Sequence, residues 1–224
     1  MSRHHPDETL LTEFAAGQLS PAVALCIRVH LGFCSRCQQQ IDRLTCMGAA
    51  LFEALPGEPV ADSVFDEIMA RIDNEDVASP VPAPQYGRPF QPVLGPLLNG
   101  VNLQDLPWKP QWFKVFEHVL QLGAQGRYRL SLIKINAGGR APAHGHHGRE
   151  VTVVLQGGFS DARGHYEAGD FMIMDGLNEH APRAFEDGDC VCLSLLEAPL
   201  RLAGPLGKGI DLLQRFFNPA LYKA

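Results

Sequence analysis

The segment His30-Leu31-Gly32-Phe33-Cys34-Ser35-Arg36-Cys37 determines how the first third of the chain is interpreted. It carries one imidazole and two thiols at positions i, i+4 and i+7. On a helix, or across a helix end, these three side chains converge on one side. Imidazole nitrogen and thiolate sulfur are ligands that tetrahedral zinc prefers in proteins. The spacing therefore predicts a zinc site that takes its fourth ligand from another segment.

The best candidate for the fourth ligand is His5, which stands 25 positions before His30, and its neighbour His4 is a rival that the sequence does not exclude. Cys26 is a second rival, one turn before His30. However, ligands from Cys26 to Cys37 on one straight helix would spread over about 16 Å and could not enclose one ion. The predicted zinc ligands are His5, His30, Cys34 and Cys37.

Apolar residues spaced three and four apart predict about four helices in residues 1–77. The last of these helices carries an apolar stripe of Phe65, Ile68, Met69 and Ile72. Residues 78–93 contain five prolines. Because proline is not tolerated inside helices or central strands, this stretch is expected to be a linker.

Residues 94–204 show short alternating runs broken by glycines, which predict a sandwich or barrel. Residues 205–224 have an apolar helical pattern, and we expect them to form a helical tail against that barrel. The predicted fold class is therefore α+β multidomain, with a helical zinc-binding module followed by an all-β domain.

A second set of possible metal ligands lies in the all-β part. His144, His146 and Glu150 share even parity, so a continuous extended strand would place them on one face. His180 is the expected fourth member. Three imidazoles and one carboxylate suit zinc, manganese, iron or nickel, with coordination positions left open.

Charge is unevenly distributed along the 224 residues, which carry a net charge of −6. Residues 1–77 hold 5 basic and 12 acidic residues, a net of −7, whereas the remainder holds 14 basic and 13 acidic residues, a net of +1. An acidic module argues against direct nucleic-acid binding and favours a basic protein partner. The sequence has no apolar run long enough to span a membrane and no signal-peptide pattern, so we expect a cytoplasmic location.

Over about residues 4–75, the chain resembles the zinc-binding anti-sigma domain. The likeness rests on His5, the step of 25 residues to His30, and the H-x-x-x-C-x-x-C run in an acidic helical module. The resemblance implies that the helices hold an ECF-class sigma factor and block its access to RNA polymerase. It makes the stripe Phe65, Ile68, Met69 and Ile72 a candidate partner-binding surface, the alternative being that this stripe packs on its own domain.

The all-β part resembles a cupin. Gly138, H-x-H at His144, Glu150 and Gly157 match the first cupin motif, and Gly169 followed by the run DFMIM and His180 matches the second in part. Three positions of the second motif depart from the family: Asp175, Leu177 and Ala184. The resemblance implies a jelly-roll barrel that binds zinc or another divalent metal through His144, His146, Glu150 and His180.

An anti-sigma domain followed by a cupin is similar to the ChrR class of anti-sigma factors, including the C-x-C of Cys190 and Cys192 after the second cupin motif. The resemblance implies a non-enzymatic regulator that releases its sigma factor in response to singlet oxygen or related oxidants, with Cys190 and Cys192 as redox candidates or simply buried residues. The alternative interpretation is a metal-dependent cupin enzyme, resembling a dioxygenase, with a helical oligomerisation module.

Overall fold

The computed structural model describes residues 2–61, 63–74, 89–120, 128–176 and 179–202. Within these ranges the helices are α1 Glu8–Ala15, α2 Pro21–Leu31, α3 Ser35–Glu53, α4 Ser63–Asn74 and the short α5 Gln91–Leu94, followed by a 3-10 turn at Leu103–Asp105. The strands are β1 Lys109–Trp112, β2 Val115–Val119, β3 Arg129–Ile135, β4 His144–His146, β5 Glu150–Gln156, β6 Gly158–Asp161, β7 Gly164–Glu167, β8 Phe171–Met174, β9 Arg183–Ala184, β10 Cys190–Leu196 and β11 Leu200–Leu202. This order of elements confirms the predicted fold class.

Side chains cap the first three helices at their N-termini. Asp7 accepts a hydrogen bond from the Leu10 amide at 2.8 Å. Ser20 caps α2, which begins with Pro21. Cys34 caps α3 by accepting from the Cys37 amide. Such caps satisfy amides that have no partner within the helix, so the candidate ligand Cys34 also starts the helix that carries Cys37.

The strands form three antiparallel sheets. The largest has six strands in the order β1-β2-β3-β10-β5-β8, and the smaller ones pair β11 with β4 and join β7, β6 and β9. An isolated bridge between His144 and His180 links the ends of two loops beside the large sheet. This bridge brings together the segments that carry two of the predicted cupin ligands, His144 and His180.

In the middle of the six-stranded sheet, β5 and β10 are buried on both faces, which explains their almost unbroken apolar runs. On one face, alternate side chains join a core shared with the helices; these include Val151, Val153, Leu193 and Leu195. The other face lines the interior of the β domain, and it includes Glu150, Thr152, Cys192 and Ser194.

Helix α2 lies directly against the large sheet, where it contacts β5 and β10. Phe90 packs into the same core and stacks on Phe33 at a centroid distance of 6.2 Å. A Cβ on Gly32 would overlap the carbonyl oxygen of Pro89, so glycine permits this close approach. The helices and the β domain thus share one hydrophobic core.

Most of the predicted linker, residues 75–88, lies outside the described residues, as does the predicted tail at 205–224. The last part of the predicted linker enters α5, with Phe90 fully packed. No helix in the described ranges has the length and apolar character that a bilayer crossing requires.

Phe90→Ala is expected to destabilise the whole chain by about 3–5 kcal/mol, because it removes a buried ring from the core that joins helices and sheet. Denaturant unfolding followed by circular dichroism measures the loss. Phe113→Ala is the matched control: its ring is 87% exposed, so the change should stay within about 0.5 kcal/mol. Equal stabilities for the two variants would contradict the shared core.

Candidate metal centres

The helical cluster consists of His5, His30, Cys34 and Cys37, whose ligand atoms all lie within 4.8 Å of one another. His30 Nε2 is 3.3 Å from Cys37 Sγ, and His5 Nδ1 is 3.4 Å from Cys34 Sγ and 3.5 Å from Cys37 Sγ. Tetrahedral zinc places neighbouring nitrogen and sulfur ligands about 3.3–3.8 Å apart, given its bond lengths. The donor set and its spacing fit zinc.

Burial sets the protonation of the helical cluster. It lowers the pKa of His30 and of His5, so both rings are neutral near pH 7. Burial also raises the pKa of the Cys37 thiol to about 12, and neighbouring Cys34 adds to that rise. Because zinc binds thiolate, a metal at this site displaces the Cys37 proton.

The β domain contributes contacts to the helical cluster. His30 Nδ1 donates to the carbonyl of Gly169 at 2.7 Å, which leaves Nε2 free to face the thiols. Asp170 Oδ1 accepts from the backbone amides of Arg3 and His4 at 2.6 and 3.1 Å. The segment between β7 and β8 therefore touches both imidazole-bearing segments of the cluster.

The cupin cluster consists of His144, His146, Glu150 and His180, again with ligand atoms within 4.8 Å of one another. His180 Nε2 is 3.0 Å from His144 Nε2 and 3.3 Å from His146 Nε2, and His146 Nε2 is 3.3 Å from Glu150 Oε2. Burial lowers the pKa of His146 to about 4 and lowers that of His180 as well. Neutral nitrogens and a carboxylate at this spacing fit a divalent transition metal.

Further contacts orient the cupin cluster. His144 Nδ1 donates to the carbonyl of Pro142 at 2.8 Å, and His180 Nδ1 to the buried carboxylate of Asp161 at 3.2 Å. The Ser194 hydroxyl donates to Glu150 Oε1 at 2.7 Å. Such partners fix the ring tautomer and direct Nε2 to the metal position. His146 Nδ1 is buried without a hydrogen-bond partner among the described residues.

A cavity of about 290 Å³ opens beside the cupin cluster. His144, Glu150 and His180 form part of its wall, and Cys192 lines it as well. The rest of the wall is mostly apolar, apart from the ion pair of Arg129 with Glu117 at 2.7 Å. The cavity leaves room for a small molecule next to the metal position.

Comparison with known proteins gives the family. A family model described as the ChrR cupin-like domain matches residues 99–198. The anti-sigma-E factor ChrR of Cereibacter sphaeroides is 36% identical over 218 residues, covering 96% of this chain and 98% of that protein. The chain belongs to the ChrR family of anti-sigma factors.

The crystal structure of Rhodobacter sphaeroides SigE in complex with the anti-sigma ChrR is similar as well. The TM-score is 0.73 at 33% identity, covering 88% of this chain and all of the matched chain. Membership of the ChrR family confirms the resemblance inferred from the sequence. It also favours the regulatory interpretation over the enzyme alternative.

Two helices, α3 and α4, expose large apolar side chains that could bind a protein partner. On α4, the side chains of Phe65, Ile68, Met69 and Ile72 are 41–70% exposed, so the described residues leave most of this stripe uncovered. The second half of α3 likewise exposes Met47, Leu51 and Phe52, and Leu55 is exposed just after the helix ends. We call these eight residues the helical apolar surface. Exposed apolar patches of this kind mark protein interaction sites.

The structure also places the residues that the sequence left open. His4 turns its ring toward Tyr166, at a centroid distance of 4.8 Å, while His5 joins the cluster. Cys26 is fully buried in the hydrophobic core. Cys190 and Cys192 are both buried, with their Sγ atoms 3.6 Å apart.

Several contacting residues were not found from the sequence. Asp161 and Ser194 support cupin ligands, and Gly169 and Asp170 support the helical cluster. Their only signal was their position inside or beside the cupin motifs, which included Gly169 as the residue before the run DFMIM and gave the others no role at a cluster. The sequence did not predict that the second half of α3 is exposed, because its apolar residues continue the helical spacing of the packed first half.

We predict that the chain purified without chelator binds about two metal ions, one per cluster. Cys37→Ser should reduce this to about one and destabilise the helices, because a structural zinc contributes folding free energy. Elemental analysis gives the stoichiometry. Cys46→Ser is the matched control, since Cys46 is exposed and belongs to neither cluster. Two ions retained by Cys37→Ser would exclude the helical cluster as a site.

Proposed function

We propose that this chain is an anti-sigma factor that sequesters an ECF-class sigma factor, with zinc holding the helical part together and the cupin cluster taking part in release. The observation that carries the proposal is the helical apolar surface, left uncovered in a chain whose family consists of anti-sigma factors. The ChrR relative of the solved complex is bound to SigE, which supports a sigma factor as the occupant.

The proposed sigma-factor-binding surface combines apolar area with acidic charge. Phe65, Ile68, Met69 and Ile72 present large apolar side chains, and the net charge of residues 1–77 is −7. Apolar residues at the centre of an interface supply most of its affinity, whereas surrounding charge selects and steers the partner. A sigma factor with a basic surface around an apolar patch matches both properties.

The proposed role of zinc is structural. His5 precedes α1, His30 ends α2, and Cys34 and Cys37 start α3. An ion bound by these four residues would connect the N-terminal arm, the residues before α1, to α2 and α3 at the point where α3 leaves the core. The orientation of α3, and with it half of the helical apolar surface, would then depend on the ion.

The proposed trigger is oxidation at the cupin domain. The cavity gives small molecules access to His144, Glu150 and His180, and Cys192 lies on the same wall. Contact with Cys190 and burial raise the pKa of Cys192, which makes it a weak nucleophile at rest. Cys190 and Cys192 stay predicted oxidation targets on geometric grounds alone, namely their mutual contact and the position of Cys192 at the cavity. The raised pKa limits the reactivity of Cys192 at rest.

The experiment that tests the proposal is co-expression of the tagged chain with each ECF-class sigma factor of the same genome, followed by pull-down and transcription in vitro. A sigma factor that co-purifies and is inhibited at stoichiometric amounts supports the function. Absence of any captured and inhibited sigma factor would reject it.

Ile68→Glu is expected to weaken sigma-factor binding at least about 100-fold, because a buried charge would replace an apolar anchor. Surface plasmon resonance against the captured sigma factor measures the loss, and circular dichroism verifies folding. Phe113→Glu is the matched control, because Phe113 is exposed on the β1–β2 turn, away from α3 and α4. Equal affinities of the two variants would place the sigma-factor-binding surface elsewhere.

The double variant His144→Ala and His146→Ala should still inhibit the sigma factor but fail to release it under singlet oxygen, because it loses half of the cupin cluster. A sigma-dependent reporter under photosensitised illumination gives the readout. His165→Ala, at an exposed position outside the cluster, should respond like the unmodified chain. Release by the double variant without oxidant would show that the cupin metal maintains the complex.

A further inference from the structure

Gly169, Asp170 and Phe171 form a corner where the chain enters β8. This corner makes hydrogen bonds to the N-terminal arm, which consists of the residues before α1. Asp170 Oδ1 accepts from the amides of Arg3 and His4, and the Phe171 amide donates to the carbonyl of His4 at 3.0 Å. These bonds end one residue before His5. Because the backbone groups of Arg3 and His4 are hydrogen-bonded to the β domain, these bonds also restrict where the ring of the next residue, His5, can lie.

Asp170 is suited to this task because it is only 1% exposed. Its second oxygen, Oδ2, accepts from the Glu167 amide at 3.0 Å and closes the turn before β8. A buried carboxylate requires hydrogen bonds to both oxygens. For Asp170, the N-terminal arm supplies the donors to Oδ1. The arm and the turn therefore depend on the same side chain.

The corner also orients His30, the second imidazole of the helical cluster. The Gly169 carbonyl accepts from His30 Nδ1, so Nε2 faces Cys37. Gly169 has a φ of +95°, and an added Cβ would press on Phe33. The corner thus contacts both histidine segments, one through the carbonyl of Gly169 and the other through the carboxylate of Asp170.

We propose that Asp170 is a positioning residue of the helical cluster, so that a side chain of the cupin domain sets how tightly His5, His30, Cys34 and Cys37 hold a metal. The proposal rests on the proposed role of these four residues as metal ligands. It also gives the two clusters a shared element. Strand β8 follows Asp170 directly and ends at Met174, which lies opposite the cupin ligand Glu150.

Cobalt(II) tests the proposal in the full-length chain, because thiolate-to-cobalt absorption reports the helical cluster alone; the cupin cluster contains no thiol. Asp170→Asn offers one acceptor oxygen in place of two. It is expected to lower cobalt affinity at the thiolate site about 10–100-fold in chelator competition, the range found when a partner of a metal ligand is removed.

Two further variants separate positioning from general destabilisation. Arg3→Pro removes one amide that donates to Asp170 and leaves the β7–β8 turn intact, so it should weaken the same absorption band in the same direction. Asp161→Asn is the matched control in the cupin domain. It should reduce the cobalt retained without thiolate absorption and leave the band unchanged, because Asp161 contacts His180.

The outcomes are distinct. An unchanged thiolate band in both Asp170→Asn and Arg3→Pro overturns the proposal, and so does an equal loss of cobalt from the two clusters in Asp170→Asn. A selective loss at the thiolate site supports it. If the unmodified chain shows no thiolate band at all, the metal site itself is wrong and the proposal falls with it.

Discussion

The arrangement of the whole molecule depends on the two hydrogen-bonding nitrogens of His30. The ring is completely buried, and a buried imidazole must satisfy both nitrogens. Nε2 faces Cys37, while Nδ1 reaches the carbonyl of Gly169. The first contact joins α2 to α3, and the second exists only when α2 lies against the β7–β8 corner. The same imidazole therefore belongs to the helical cluster and to the joint between helices and sheet.

The local parts of both clusters could be predicted because they follow from short spacings. Residues i, i+4 and i+7 meet where α2 ends and α3 begins, and His144 and His146 share a face of β4. The parity argument did not extend to Glu150, which lies on the separate strand β5. It reaches the cluster because the chain changes direction between β4 and β5, and the parity of three positions does not predict such a turn.

The exposed helical faces show where hydrophobic periodicity stops being informative. Ile41 and Leu44 of α3 pack partly against the core, whereas Leu51 continues the same spacing on α3 and Leu55 continues it just past the helix end; these two are 71% and 63% exposed. An amphipathic stripe predicts that one face of a helix is buried. It does not predict whether that face packs against the same chain or against a partner. The proline-rich stretch was similarly ambiguous, because proline predicts a break in secondary structure without predicting that Phe90, inside that stretch, packs into the core.

The shared core has a thermodynamic consequence for regulation. Two sites in one cooperative unit influence each other only when a ligand at one favours a different arrangement of the element they share, and such coupling is reciprocal. The element that lies between the two clusters is β8, which follows Asp170 directly and ends at Met174, opposite Glu150. If a metal at the cupin cluster strengthens metal binding at the helical cluster, then a metal at the helical cluster must strengthen binding at the cupin cluster by the same factor. A flexible linker between independent domains would give no coupling to share, whereas a strand packed in a common core offers an element that both sites can bias.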